Sequence, residues 1–115
     1  YIPALYKSVT QGNARAVESM LDGAADPNAV FANRTMLQMA AEQGDVSIVK
    51  LLLSFGADPN MRARPDNFTP LMQAALETSD VHMFATLVAA GARLDDTTHG
   101  GMTALMVAAE HSNLE

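Results

Sequence analysis

The sequence predicts an all-α solenoid built from one helix-pair unit used four times, with three full copies and a truncated fourth. Three observations carry that prediction. A leucine recurs at Leu5, Leu37, Leu71 and Leu105, every 32 or 34 residues. Paired alanines follow it at Ala40 and Ala41, Ala74 and Ala75, and Ala108 and Ala109, with Ser8 and Val9 in the first copy. One turn also recurs, as AADPN (Ala24 to Asn28), GADPN (Gly56 to Asn60) and GARLD (Gly91 to Asp95). A fixed period of this length marks a repeat architecture, in which each unit is a supersecondary element that buries its apolar face only against its neighbours. The units fall at approximately 1–32, 33–66, 67–100 and 101–115, and together they make 1–115 a single domain.

In the first copy Pro3 stands where the others have Thr, and Lys7, Ser8 and Thr10 interrupt an otherwise apolar helix, as a terminal cap with one wet face would. Ala24 occupies the place of Gly56 and Gly91. Either it takes a left-handed conformation at a cost on the order of 1 kcal/mol, or Gly23 shifts the turn by one residue. The second copy is the template. Thr35 is placed to cap a helix whose Met36, Leu37, Met39, Ala40 and Ala41 fall at helical spacing and which ends near Gly44. Asp45 caps a second helix over Val46 to about Ser54, with Val46, Ile48, Val49, Leu52 and Leu53 directed to a core and Ser47, Lys50 and Ser54 to solvent. Gly56 then closes that helix in the left-handed conformation.

The third copy brings Thr69 as cap and Pro70 at the first helical position, where its missing N–H costs nothing. One residue is inserted between its helices, in Leu76 to Ser79, which predicts a loosened corner. The fourth copy begins with Thr103, Leu105, Ala108 and Ala109 and stops at Glu115, where a second helix should just have begun. Without that helix Leu105, Val107 and Ala108 are expected to be partly uncovered. Helices of eight or nine residues do not hold together alone in water, so stacking between units has to stabilise all of them.

Composition narrows the function. Thirteen acidic against seven basic residues give a net charge of −6, which repels phosphate backbones and anionic lipid, so neither nucleic acid nor a membrane is an expected partner. No apolar run approaches the roughly 20 residues of a membrane-spanning helix. The absence of cysteine removes disulfides and thiolate chemistry and suits a reducing compartment, so the expected location is intracellular, cytoplasmic or nuclear. The chain starts at Tyr1 and resembles an excised piece of something longer. His82, His99 and His111 have no second histidine at i+3 or i+4, so no metal site is expected. None of the serines sits in a glycine elbow, and Gly100-Gly101 matches no phosphate-binding loop. No catalytic residue and no cofactor are expected. Most of the eight methionines fall at core spacing and are expected to act as filler, Met61 and Met102 excepted.

Thr-Pro-Leu at the start of a unit, Ala-Ala, a small residue with Asp or Asn, then an apolar helix and Gly-Ala-Asp-Pro-Asn together resemble the ankyrin repeat, over the whole chain. The resemblance implies that a loop projects from each helix pair as a β-hairpin finger, at roughly Pro27 to Arg34, Pro59 to Phe68 and Leu94 to Met102. It also implies a non-catalytic module that binds a protein or peptide through finger tips and the inner-facing helices. The matching residues are Phe31, Arg34, Glu42 and Gln43; Arg62, Arg64, Phe68, Leu76 and Glu77; and His99, Met102, Glu110 and His111. Arg34, Arg62 and Arg64 would make a local basic patch able to grip carboxylates. The family's histidine between neighbouring units is replaced by Gln38, Met72 and Met106, which puts the inter-unit hydrogen bond in doubt at the two methionines. A monomer is expected, with a structural spacer or a homodimer through the uncovered fourth unit as the alternative.

Overall fold

The computed structural model describes residues 2–62, 68–77, 81–98 and 100–112. Each unit opens on a first helix: α1 (Ile2–Thr10), α3 (Met36–Gln43), α5 (Pro70–Glu77) and α7 (Ala104–Ser112), where the even-numbered helices are α2 (Ala14–Asp22), α4 (Val46–Ser54) and α6 (Val81–Ala89). The first helices stack in one row in the order α1, α3, α5, α7, and the second helices stack in another in the order α2, α4, α6. Each second helix also packs on the first helix of its own unit. The result is an elongated two-layer array of 41 × 24 × 23 Å, with its core between the rows.

The helix ends follow from their caps. Thr35 accepts a hydrogen bond from Gln38 N at 2.9 Å and Asp45 accepts one from Ile48 N at 3.1 Å, so each side chain satisfies an amide that has no partner within its helix. Asn13 does the same for α2, accepting from Ala16 N at 3.1 Å. Thr69 and Thr103 repeat the cap for α5 and α7. In α4 the residues Ile48, Val49 and Leu52 are fully buried, Val46 and Leu53 are half-buried, and Ser47, Lys50 and Ser54 are exposed. A 3.6-residue period on a two-sided helix gives this distribution.

The turn at the end of each unit settles the question left by Ala24. Gly56 and Gly91 have φ of +97° and +101°, and Ala24 adopts φ +77° in the same place, so the first unit keeps the turn and accepts the steric cost of a Cβ. The recurrent Asn also does more than shape its own turn. Asn28 Oδ1 accepts from Asp58 N at 2.7 Å, and Asn60 Oδ1 accepts from Arg93 N at 2.8 Å while its Nδ2 donates to Gly91 O at 3.0 Å. Successive units are therefore tied turn to turn as well as helix to helix.

Three expectations need correction. Ser8 does not lie on a wet face. It is buried, as the small-residue position of the repeat demands, and its hydroxyl is satisfied by donating to Ala4 O at 3.0 Å. Val107 is buried, because α7 packs on α5, whereas Leu105 is 78% exposed. Among the methionines, Met36, Met39, Met72 and Met83 do fill the core, but Met106 is 52% exposed at the uncovered end. The inserted corner at Leu76 to Ser79 lies largely outside the described residues.

Candidate functional site

The first finger is a two-residue hairpin. Strands β1 (Val30–Phe31) and β2 (Arg34–Thr35) pair antiparallel, with Val30 opposite Thr35 and Phe31 opposite Arg34. Ala32 and Asn33 between them both have positive φ, +54° and +67°, the backbone of the tight turn whose twist matches paired strands. Directly opposed residues point to the same side of a strand pair, so Phe31 and Arg34 share a face of the finger. Thr35 both ends β2 and caps α3, so the finger joins the helix with no intervening loop.

Contacts run from that face across three units. The Phe31 ring packs on Tyr6 of α1 with centroids 4.6 Å apart and planes inclined at 48°. Arg34 reaches along α3 to Glu42, where its NH1 donates to Oε2 at 2.6 Å. The two residues sit at opposite ends of a helix about 12 Å long, so long side chains leaning towards each other are what close the gap. The same Oε2 accepts from Gln73 Nε2 of α5 at 3.4 Å, and Gln73 Oε1 accepts from Gln38 Nε2 at 2.7 Å. Gln38 and Gln73 are buried, and Gln38 Oε1 has no partner among the described residues. A further link joins the first two units, with Gln43 Nε2 donating to Thr10 O at 2.8 Å.

The second and third fingers are linked in a similar way. Arg62 NH1 donates to Thr97 O at 3.0 Å, and its other terminal nitrogen lies 3.9 Å from Asp96, which also accepts from Arg93 Nε at 3.2 Å. Thr97 and Thr103 form a single antiparallel bridge at the root of the third finger.

The residues expected at the site are thereby sorted. Phe31, Arg34, Glu42 and Gln43 come together on the first finger and its helix. Arg34 and Arg62 do not form an open basic patch, because each guanidinium faces a carboxylate of the chain itself. Phe68, Leu76 and Met102 are half-buried and pack against the core, and Glu110 is exposed. Arg64 and His99 lie outside the described residues, as do the side chains of Glu77 and His111. Gln38 makes an inter-unit hydrogen bond, as its place in the repeat allows, whereas the residues expected at the site include neither Tyr6 nor Gln73. Gln73 carries a legible signal in retrospect, being polar at a repeat position that holds Met39 and Val107 in the neighbouring units.

Elsewhere the surface offers shallower features. Open grooves of about 550 and 530 Å³ lie between α4 and α6, beside Lys50 and His82, and between α2 and α4, beside Arg15 and Lys50. A smaller apolar groove of about 210 Å³ lies at the last unit, lined by Phe84, Val88, Leu94 and Leu105 among others. Among the described residues no three His, Asp or Glu side chains converge as a metal ion would require, and no helix is long and apolar enough to cross a membrane.

The chain matches the sequence profile of the family described as ankyrin repeats (3 copies), over residues 2–63 and again over 37–115. It is 36% identical over 90 residues to glycerophosphocholine phosphodiesterase gde1 of Schizosaccharomyces pombe, a match covering 77% of this chain and 8% of that protein. It is 38% identical over 76 residues to the 2-5A-dependent ribonuclease of Mus musculus, covering 64% of this chain and 10% of that one. To cyclin-dependent kinase 4 inhibitor B of Rattus norvegicus it is 34% identical over 93 residues, covering 79% of this chain and 69% of the relative. The chain therefore spans about a tenth or less of the two proteins named as enzymes.

Proposed function

Because the chain belongs to the ankyrin repeat family, we propose that it is a non-catalytic module that binds a protein or peptide through the face formed by its first helices and fingers, inside the cell. The observation that carries this reading is the chain of contacts from Tyr6 through Phe31, Arg34 and Glu42 to Gln73, which links half-buried groups of three units, and the buried Gln73, in one geometry. A surface ordered in advance loses little conformational freedom on association. Aromatic and Arg side chains, the residues that dominate binding energy at interfaces, are concentrated there. One relative is named for inhibiting a kinase, a protein target, while the two named as enzymes share only a small part of their length with this chain.

A second reading, assembly through the last unit, is favoured by one observation. Leu105 is 78% exposed where its repeat equivalents Leu5, Leu37 and Leu71 are buried. The two readings place the contact at different residues: Leu105→Asp should dissociate a self-assembled form, read as mass by light scattering, and leave binding of a partner protein intact. For a partner captured with the wild-type chain, Gln43→Lys and Glu110→Lys are expected to weaken binding by about tenfold or more, the loss of roughly 1.4 kcal/mol. Lys50→Glu on the outer row should leave affinity within about twofold. Titration calorimetry checks both, and an effect confined to Lys50→Glu would remove the first-helix face from consideration.

A further inference from the structure

Arg34 and Glu42 form an ion pair whose bonding capacity is only partly used. Both contacts to Glu42 end on Oε2, from Arg34 NH1 and from Gln73 Nε2, and Oε1 has no partner among the described residues. Arg34 in turn uses NH1 alone among the described residues, where its NH2 and Nε donors have no partner. The two side chains are 31% and 26% exposed, which keeps the unused atoms within reach of solvent. The pair thus presents donors beside an acceptor. Gln73 is bonded to it and is itself held by the buried Gln38, and Phe31, paired with Arg34 across the finger, packs its ring on Tyr6 of α1.

A ligand for this arrangement has to satisfy a donor and an acceptor without adding charge. A carboxylate brought to the open donors of Arg34 would be repelled by the Glu42 carboxylate, and a cation brought to Glu42 would be repelled by the guanidinium already there. In an extended peptide the N–H and the C=O of one residue point to the same side, so one residue of a neutral strand matches both groups at once. The adjoining rings then suit an apolar side chain on that residue or the next. Building on the reading that this face binds a partner, we propose that Tyr6, Phe31, Arg34 and Glu42 form a subsite for an extended peptide. The peptide sets an apolar side chain on the two rings and offers the main-chain N–H and C=O of one residue to Glu42 and Arg34.

The test uses a displayed library of random heptapeptides selected on the intact chain. Enriched peptides are expected to share an apolar or aromatic residue and no obligatory charge. N-methylation of one amide next to that residue should weaken them about tenfold, and so should the double variant Arg34→Ala/Glu42→Ala. Both residues of that variant are partly exposed, and thermal melting checks that it folds. The swapped pair Arg34→Glu/Glu42→Arg should recover part of the loss. The subsite is overturned if no single N-methylation matters, if an Asp or Glu of the peptide proves indispensable, or if binding survives the double variant. Peptides weakened only by Gln43→Lys or Glu110→Lys would sink the subsite and leave the binding face standing. Peptides weakened only by Lys50→Glu, or no enrichment at all, would overturn both.

Discussion

Leu37→Ala is expected to lower the unfolding free energy by about 2–5 kcal/mol, the usual cost of truncating a buried leucine in a core that relaxes only partly. Leu37 is 1% exposed and belongs to the core. The repeat supplies its own control, since Leu105 holds the equivalent position on α7 but is 78% exposed. Leu105→Ala should change stability by no more than about 0.5 kcal/mol. The residue type and the place in the unit are the same, so the difference between the two variants isolates what the covering elements contribute. Urea denaturation followed by circular dichroism measures both, with an unchanged slope showing that the unfolded state is not the source. A negligible loss at Leu37 would mean that the repeat register is wrong.

The second large effect is expected at the buried amide pair. Gln73→Ala leaves Gln38 Nε2 without its 2.7 Å acceptor in a site closed to solvent. It should cost about 1–3 kcal/mol for the stranded donor, before any cavity is counted. Replacing both partners with apolar residues of similar size, as Gln38→Leu/Gln73→Leu, removes the stranded group as well as the bond and should be close to neutral. A double-mutant cycle in the same denaturation assay measures the coupling. If Gln73→Ala and the double leucine variant prove equally destabilising, the amide pair is not what joins the second and third units here.

The template unit was legible almost residue by residue because two local signals agreed. The 3.6-residue spacing marked the buried faces of α3 and α4, and Thr35, Asp45 and Gly44 marked their ends through backbone groups that a helix cannot satisfy by itself. The period then carried the same register to the other units. What the sequence could not show were contacts between residues that no period relates. Gln38 was a candidate for an inter-unit hydrogen bond, but its acceptor is Gln73, one position beyond Met72, and that shift depends on how two helices are offset across the stack. The arginines looked available for a partner's carboxylates because nothing in the spacing of Arg34 and Glu42, eight residues apart across a strand end and a helix, announces an ion pair. Polarity alone makes Ser8 read as wet, whereas its place in the small-residue column buries it. Ala24 shows the opposite balance, with the architecture of the turn prevailing over the preference of the residue that fills it.

The most direct test of the binding face is amide hydrogen exchange on the chain alone and with its captured partner. Occupation of the first-helix face predicts added protection in the finger at Val30 to Thr35 and towards the Gln43 end of α3, with α2, α4 and α6 unchanged. Protection confined to α7 and the groove around Val88 and Leu105 would contradict that account and place the interface at the end of the array.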